Sequence, residues 1–402
     1  MKMLFLTFYF EPDLSAGSFR NTALVEALKQ NLDANDTIEV ITTMPNRYAS
    51  YKVQAGNLEE RGNITIHRIK TPSHKSGYLD QILAFKTYFQ GAFKLTNGKE
   101  YDIVFASSSR LFTAFLGAQI ARRKKSLLYL DIRDIFTDTM KEVLSNKAQK
   151  LITKPVLNTI EQYTIKSAHH LNLVSKGFGP YFKRFFNGTV GYYTNGIDEE
   201  FLDYKFEGKM PSNKPKVITY AGNIGDGQGL EKIIPEAARK LNGDYRFKII
   251  GDGSSKTKLS ARLEELDVQN VELIKPVKRR ELLDIYSQSD FLFLHLNDYK
   301  AFHKVLPSKI FEYGAIPVPI IAGVDGYARK FINENVENAI VFGPNNPDEF
   351  VRKLKDFKPE NRMRHTFVEK YRRASIMQEM AKSIIQMKRE PYTTISAESK
   401  PD

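Results

Sequence analysis

Residues 217–234 read VITYAGNIGDGQGLEKII: a β-rich run, a loop holding Gly222, Gly225, Gly227 and Gly229, and then the apolar spacing of a helix. A strand that hands the chain to a glycine loop at the head of a helix suits an anion. Glycine lets backbone approach a phosphate, and the helix N-terminus offers N–H groups and partial positive charge. Gly225, Gly227 and Gly229 give GxGxG rather than GxGxxG, and no acid occupies the customary place, which favours a phosphate-receiving loop over a nicotinamide site. A flexible turn is the alternative for the same residues. The helix is expected to start near Gln228 or Gly229.

The same alternation of short β-rich runs with helical periodicity extends in both directions, the pattern of a doubly wound parallel α/β fold. Strands are expected near 3–8, 37–42, 64–69, 103–106, 127–130 and 171–174, and again near 217–220, 247–250, 271–274, 291–294, 318–321 and 339–342. Each series supplies one sheet. Between them TNGIDEEFLDYKFEGKMPSNKPK has the composition of an inter-domain connection. The expected domains are 1–195 and 196–375, followed at 376–402 by a helix end and a polar tail, PYTTISAESKPD, that reads as disordered.

With 402 residues, 42% hydrophobic and 27% charged, the chain has the length of two domains and ordinary globular usage. The absence of cysteine excludes disulfides, thiolate metal sites and a cysteine nucleophile. A start broken by Glu11, Pro12 and Asp13, with no 18-residue apolar stretch later, predicts a cytoplasmic protein, soluble or peripheral. The net charge of +13 predicts attraction to polyanions, whether nucleic acid, anionic lipid or a phosphate-bearing substrate. A merely solvated lysine-rich surface is the other reading. Leu79, Ile82, Phe85, Phe89 and Phe93 mark one helix beside Lys86 and Lys94. Farther on come ARRKKS and a stretch through Lys141, Lys147, Lys150 and Lys154. Such segments suit either an anionic bilayer or an ordinary core-facing stripe with solvated lysines.

Ligands of open parallel sheets bind beyond the carboxyl ends of the strands, and the remaining informative residues follow strands. After the first strand, Gly17 allows close backbone approach and Ser18 is placed to cap a helix, although such a joint is common. Gly251, Asp252 and Gly253 end another strand, with Ser254 or Ser255 as cap. In VLPSKIFEYG, Ser308 leads into a short helix carrying Lys309 and Glu312 three positions apart, hence on one face. A cation for phosphate beside a carboxylate for ribose hydroxyls suits a nucleoside diphosphate; a surface ion pair is the alternative.

The order of these pieces, FYFEPDLSAGSFR, DIRDIF, TNGID, YAGNIGDGQGLEKII, IIGDG, PVKRRELLDIYSQSD and LPSKIFEYGAIPVPII, resembles a family-4 retaining glycosyltransferase over nearly the whole chain. It is most similar to the branch that adds amino sugars in bacterial O-antigen or capsule assembly. The resemblance implies a GT-B fold, two Rossmann-like doubly wound domains facing across a cleft. It also implies a nucleotide-sugar donor, UDP favoured, and a glycan or lipid-linked sugar acceptor. No cofactor and no metal are expected, and the chain has no persuasive DxD motif. By the same resemblance Gly17 lies against the donor diphosphate, Gly251 to Gly253 and Val277 form the base and nucleotide pocket, Lys309 meets phosphate and Glu312 the ribose. Arg133 and Asp134, within DIRDIF, orient donor or acceptor. Gly222, Asn223, Gln228, Lys304 and Ser308 complete the expected donor site.

Three departures qualify the pattern. Asn223 and Gln228 stand where many relatives carry a basic pair, so Lys309 and Arg133 become the candidates for neutralising the leaving phosphate. Lys304 replaces the earlier of two glutamates, leaving Glu312 alone, and Arg133-Asp134 replaces His-Asp. Two other functions fit parts of the sequence: a sugar-nucleotide epimerase or hydrolase, and a basic polyanion-binding protein. No nucleic-acid module is recognisable, and no nucleic-acid partner is expected.

Overall fold

The computed structural model describes residues 1–13, 15–45, 55–72, 78–108, 111–135, 147–206 and 215–389. The tail expected to be disordered and Lys141 lie outside them, as do the side chains of Leu79, Ile82, Lys147, Lys150 and Lys154. The chain forms two compact units. The first comprises residues 1–174, 181–194 and 374–402, and the second residues 175–180 and 195–373.

The first unit is built on eight strands: β1 (Lys2–Leu6), β2 (Thr37–Thr43), β3 (Leu58–Arg61), β4 (Ile64–Ile69), β5 (Ile103–Ser108), β6 (Leu127–Ile132), β7 (His170–Leu173) and β8 (Thr189–Gly191). They lie in the order β3-β4-β2-β1-β5-β6-β7-β8, all parallel except β3, which pairs antiparallel with β4. The central strands are apolar runs covered on both faces, as β5 shows with every residue buried, whereas β4 alternates because one face is only half covered. Phe5 of β1 stacks on Phe105 of β5 with ring centroids 4.3 Å apart. Helices α1 (Ala16–Asn31), α2 (Tyr78–Thr96), α3 (Leu111–Lys124) and α4 (Lys147–Lys166) belong to this unit.

The second unit has a six-stranded, wholly parallel sheet made of β9 (Lys216–Asn223), β10 (Tyr245–Asp252), β11 (Val271–Ile274), β12 (Phe291–His295), β13 (Ile320–Gly323) and β14 (Ala339–Phe342). The order is β11-β10-β9-β12-β13-β14, so the direction of winding reverses between β9 and β12. That reversal is where an open parallel sheet splays its loops and admits a ligand. Here the glycine loop leads from β9 into α5 (Leu230–Lys240); α6 (Lys256–Glu265) follows β10, α7 (Arg279–Ser287) follows β11 and α8 (Lys309–Gly314) follows β12.

Several sequence expectations are corrected. β3 and β8 are strands that the pattern did not reveal, being four and three residues long on the sheet's edges. The first residues of the segment that reads as a connection are packed: Asn195, Ile197 and Phe201 are buried, and Ile197 forms a backbone bridge with Arg372. The last helix, α9 (Arg373–Arg389), expected as a helix end outside both domains, packs into the first unit. Met377, Met380, Ala381, Ile384 and Ile385 join the core beneath β1 and β5 of the first unit. On α2 the fully buried face is Ala84, Tyr88 and Ala92, four residues apart, whereas Phe85, Phe89 and Phe93 are half-buried beside it.

Candidate functional site

In the first unit, β1 hands the chain to α1 through the Gly17 joint. Ser15 caps α1, its side chain accepting from the Ser18 N–H at 3.1 Å, so Ser18 is not the cap that the sequence suggested but lies buried in the first turn. Gly17 is also inside the helix. A β-carbon there would meet Arg133 Nη1 at 2.2 Å, so the missing side chain is what lets the guanidinium that follows β6 lie against the head of α1. Arg133 and the adjacent Asp134 are half-buried. The structure therefore brings Gly17 and Arg133 together, as a cation beside a helix N-terminus.

Beneath them lies a constellation that the sequence reading missed. Arg20 of α1 and Asp131 of β6 form a fully buried bidentate pair, with Nε to Oδ2 at 2.9 Å and Nη2 to Oδ1 at 3.0 Å. Arg20 also donates to the carbonyls of Tyr193 and Thr194, each at 2.7 Å, and Asn172 donates to Asp131 at 2.7 Å. A buried pair with its remaining donors satisfied fixes geometry more than it adds stability. Here it sets the end of β6, and so Arg133 and Asp134, relative to α1. The available signal was Asp131 itself, a charge inside the apolar run LLYLDI.

In the second unit the ends of β9 and β10 are knitted together by glycines. Gly222 and Gly251 are register partners, as are Asn223 and Asp252. Gly222, Gly251 and Gly253 have φ of 158°, 149° and 157°, a region that side-chain-bearing residues rarely adopt. A β-carbon on Gly251 would lie 1.8 Å from the Gly222 carbonyl oxygen, and one on Gly222 would lie 2.6 Å from Lys309 Cε. The lysine stem of α8 thus runs over bare backbone at the end of β9. Lys309 Nζ stands 3.4 Å from Glu312 Oε2, with the two side chains 23% and 19% exposed. Both are on one face, as their spacing required, and the ion pair that the spacing also allowed is present.

Asn223 donates to Gln228 Oε1 at 2.8 Å, closing the glycine loop, and α5 begins at Leu230 with Gly229 as its N-terminal cap residue at φ 57°. The expected start at Gln228 or Gly229 is thus one or two residues early. Asp252 turns its carboxylate to the Gly253 N–H at 2.9 Å. Ser255 and Ser308 occupy the cap positions of α6 and α8, yet neither makes the side-chain capping bond expected of serine. Val277 lies half-buried in the turn between β11 and α7. Lys304 closes a short 3₁₀ turn, and its carbonyl accepts from Ser175 Oγ at 2.6 Å.

Asp198, the acid of TNGID, is a further residue whose role sequence reasoning did not find. It pairs with both Arg279 and Arg373. Burial opposes its charge, but the two guanidiniums outweigh burial and hold the carboxyl below its usual range. Arg279, which also pairs with Glu200 at 2.6 Å, feels the negative charge of Glu312. Among the described residues no group of three or more His, Cys, Asp or Glu side chains is placed to hold a metal ion, and no helix is long and apolar enough to cross a membrane.

Residues 204–374 match the family described as Glycosyl transferases group 1. A putative colanic acid biosynthesis glycosyl transferase of Escherichia coli, WcaI, is 30% identical over 120 residues, covering 30% of this chain and 29% of that protein. The chain therefore spans about three tenths of that relative's length. Sucrose-phosphate synthase from Thermosynechococcus elongatus superimposes with a TM-score of 0.73 at 11% identity, over 96% of this chain and 99% of that one. WaaG, a glycosyltransferase involved in lipopolysaccharide biosynthesis, gives 0.60 at 12% identity over 95% of each chain. HepE of Anabaena in complex with UDP and glucose gives 0.60 at 14% over 97% of each. At such identities the likeness establishes the fold, which is GT-B with two Rossmann-like domains. The family match over residues 204–374 points to a glycosyltransferase.

Proposed function

We propose that this chain is a group 1 glycosyltransferase that moves an N-acetylated amino sugar from UDP to a lipid-diphosphate-linked glycan, retaining configuration and using no metal, in bacterial surface polysaccharide synthesis. The observation that carries the reading is the cradle at the end of β9. Glycine backbone at Gly222 and Gly251, the Lys309 ammonium and the Glu312 carboxylate stand together at the winding reversal of a parallel sheet. The likeness to HepE holding UDP and glucose, and the relative named for colanic acid biosynthesis, support the donor and the pathway class.

In this reading a nucleoside diphosphate leaves as the acceptor oxygen bonds to the anomeric carbon. The anomeric carbon–phosphate oxygen bond breaks, and the acceptor's proton passes to the leaving phosphate. Negative charge accumulates on the diphosphate and positive character on the sugar, so pre-placed cations and N–H dipoles lower the barrier most. Lys309 supplies that charge, Glu312 binds ribose, and the Gly251 to Gly253 turn with Val277 receives the base. Arg133 and Asp134 orient donor or acceptor, and Gly17 admits the diphosphate. Of the donor-site candidates, Ser308 stands at the head of α8 and Lys304 in the 3₁₀ turn before it, while Asn223 and Gln228 close the loop by bonding to one another.

The lipid acceptor places the protein at the inner face of the cytoplasmic membrane. A half-buried aromatic array on the first unit supports peripheral contact there. Phe85, Phe89 and Phe93 of α2 meet Phe112 and Phe115 of α3 and, through Phe115, Tyr163 of α4, with Arg123 stacked 4.8 Å over Phe93. Aromatic rings beside exposed Arg122 and Lys94 have the makeup of an interfacial surface on anionic lipid.

The test is product analysis with labelled UDP-N-acetylglucosamine and a bacterial lipid extract. Label entering an organic-phase glycolipid with its anomeric configuration retained is the expected outcome. Release of free sugar, or an epimerised nucleotide sugar without any glycolipid, would assign the chain to the hydrolase or epimerase class instead.

A further inference from the structure

Beyond the residues already assigned, the end of β12 grips the glycine loop by its carbonyls. Asn297 Nδ2 donates to the Asp226 carbonyl at 2.8 Å, the Asn297 N–H donates to the Gly227 carbonyl at 2.9 Å, and His295 Nδ1 meets the Gln228 carbonyl at 2.6 Å. Three successive peptide oxygens of the loop are therefore held by residues 295 and 297, which share one side of the extended chain. The other nitrogen of His295, Nε2, accepts from the Asn345 N–H at 3.0 Å. A backbone donor on Nε2 and a backbone acceptor at Nδ1 admit one arrangement of the ring, neutral with its proton on Nδ1.

The surroundings hold that ring and its neighbour in place. Asn345 has φ of 56°, in the left-handed region, and this turn delivers its N–H to the ring. Its side chain donates to Asn297 Oδ1 at 3.0 Å, and so does Lys232 of α5. A β-carbon on Gly323 would lie 2.2 Å from His295 Cδ2, so β13 is stripped of a side chain where the imidazole sits. At Gly229 a β-carbon would come within 3.0 Å of Asn297 Cγ, which brings the loop's last glycine down onto the same residue. His295 is only 2% exposed, so it does not act by touching a ligand.

We infer that His295 is a positioning residue, which together with Asn297 holds the Gly225–Gly229 loop and the head of α5 in the conformation that receives the donor's phosphates. The physical reason is the opposed direction of the two ends of a peptide unit. Anchoring carbonyls at 226, 227 and 228 on β12 fixes which way the loop's N–H groups and the first turn of α5 face, and a phosphate reads those dipoles. The clamp spans the winding reversal, tying β9's loop to β12 and to the turn after β14. The inference rests on the donor-binding reading above.

The test compares UDP with uridine on wild type, His295→Phe and His295→Gln, using calorimetry for UDP and ligand-observed NMR for uridine. Phenylalanine keeps an aromatic ring between Phe293 and Phe342 but removes both hydrogen bonds; glutamine retains one donor and one acceptor. His295→Phe should weaken UDP about tenfold and leave uridine within about twofold, and His295→Gln should recover most of the loss. Asn297→Ser, which removes the side-chain bond to Asp226, should show the same selective loss and carries the comparison if His295→Phe does not fold. Equal losses for UDP and uridine, or wild-type UDP affinity in the variants, would overturn the positioning role. A wild-type protein that binds no UDP would instead refute the donor-binding reading and remove this inference with it.

Discussion

Gly222→Ala probes the cradle at the end of β9 through its backbone. The added methyl would stand 2.6 Å from Lys309 Cε, 3.1 Å from Tyr220 Oη and 3.5 Å from Lys309 Nζ, on a residue whose φ of 158° disfavours any side chain. Backbone strain of this kind costs about 1–3 kcal/mol. The lysine stem is flexible, so it yields and carries the ammonium away from the phosphate position. A charge-assisted contact is worth about 1.5–3 kcal/mol when well buried. With 23% of the Lys309 side chain exposed, screening reduces this to about 1–2 kcal/mol, or roughly 5- to 30-fold in UDP affinity. Calorimetric titration of UDP and thermal unfolding separate the two effects. Lys309→Ala should weaken UDP to a similar degree without the backbone strain, and the double variant should bind no worse than about twofold below either single one. Gly222→Ala with wild-type UDP affinity, or a double variant whose losses multiply, would refute the idea that the glycine serves the lysine.

Asp131→Asn should destabilise the first unit by about 3–5 kcal/mol, because it leaves the Arg20 guanidinium buried without its counter-charge; chemical denaturation measures this, and a loss under 1 kcal/mol would contradict the role given to the pair. Burial depresses the pKa of His295 to about 4, with the Gln228 carbonyl opposing and Lys232 assisting, and burial likewise depresses His170 to about 4. Neutral in the folded state and protonated near pH 6.5 when unfolded, each contributes stability that is complete above pH 6.5. That stability is lost as pH falls from there toward 4, by about 3 kcal/mol at most per residue. His295→Gln should remove its share of this slope in pH-dependent unfolding; an unchanged slope would show that His295 does not carry it. Co-sedimentation with vesicles containing phosphatidylglycerol should be strong at low salt and weakened by Arg122→Glu with Arg123→Glu; binding indifferent to salt and to the charge reversal would exclude the α2–α3 surface.

The fold was legible because its signals were long and repeated. Buried strands such as Ile103–Ser108 and Phe291–His295 open with four apolar residues in a row, and the helices between them carry their own period. The edge strands escaped because four residues of LEER show neither an apolar run nor clear alternation. The return of α9 to the first unit is a tertiary fact, which no local pattern at Met377 or Met380 could declare. At the site, the spacing of Lys309 and Glu312 sufficed to place them side by side, and the glycines announced close backbone approach. The groups that hold these residues were hidden. Arg20, Asp131 and Asn172 are 41 or more residues apart in sequence, and His295 acts on a loop 67 residues before it. Capping by Ser18 was misassigned by three residues because Ser15 and Ser18 are both serine, and only the backbone at Ser15 is extended.

The most direct test of the account is a thermal-shift titration with UDP, GDP, ADP and TDP, in the presence and absence of EDTA. Donor binding without a metal predicts a rise in Tm that favours UDP, grows with its concentration and is unchanged by EDTA. No rise with any of the four nucleotides, or a rise that EDTA abolishes, would contradict it.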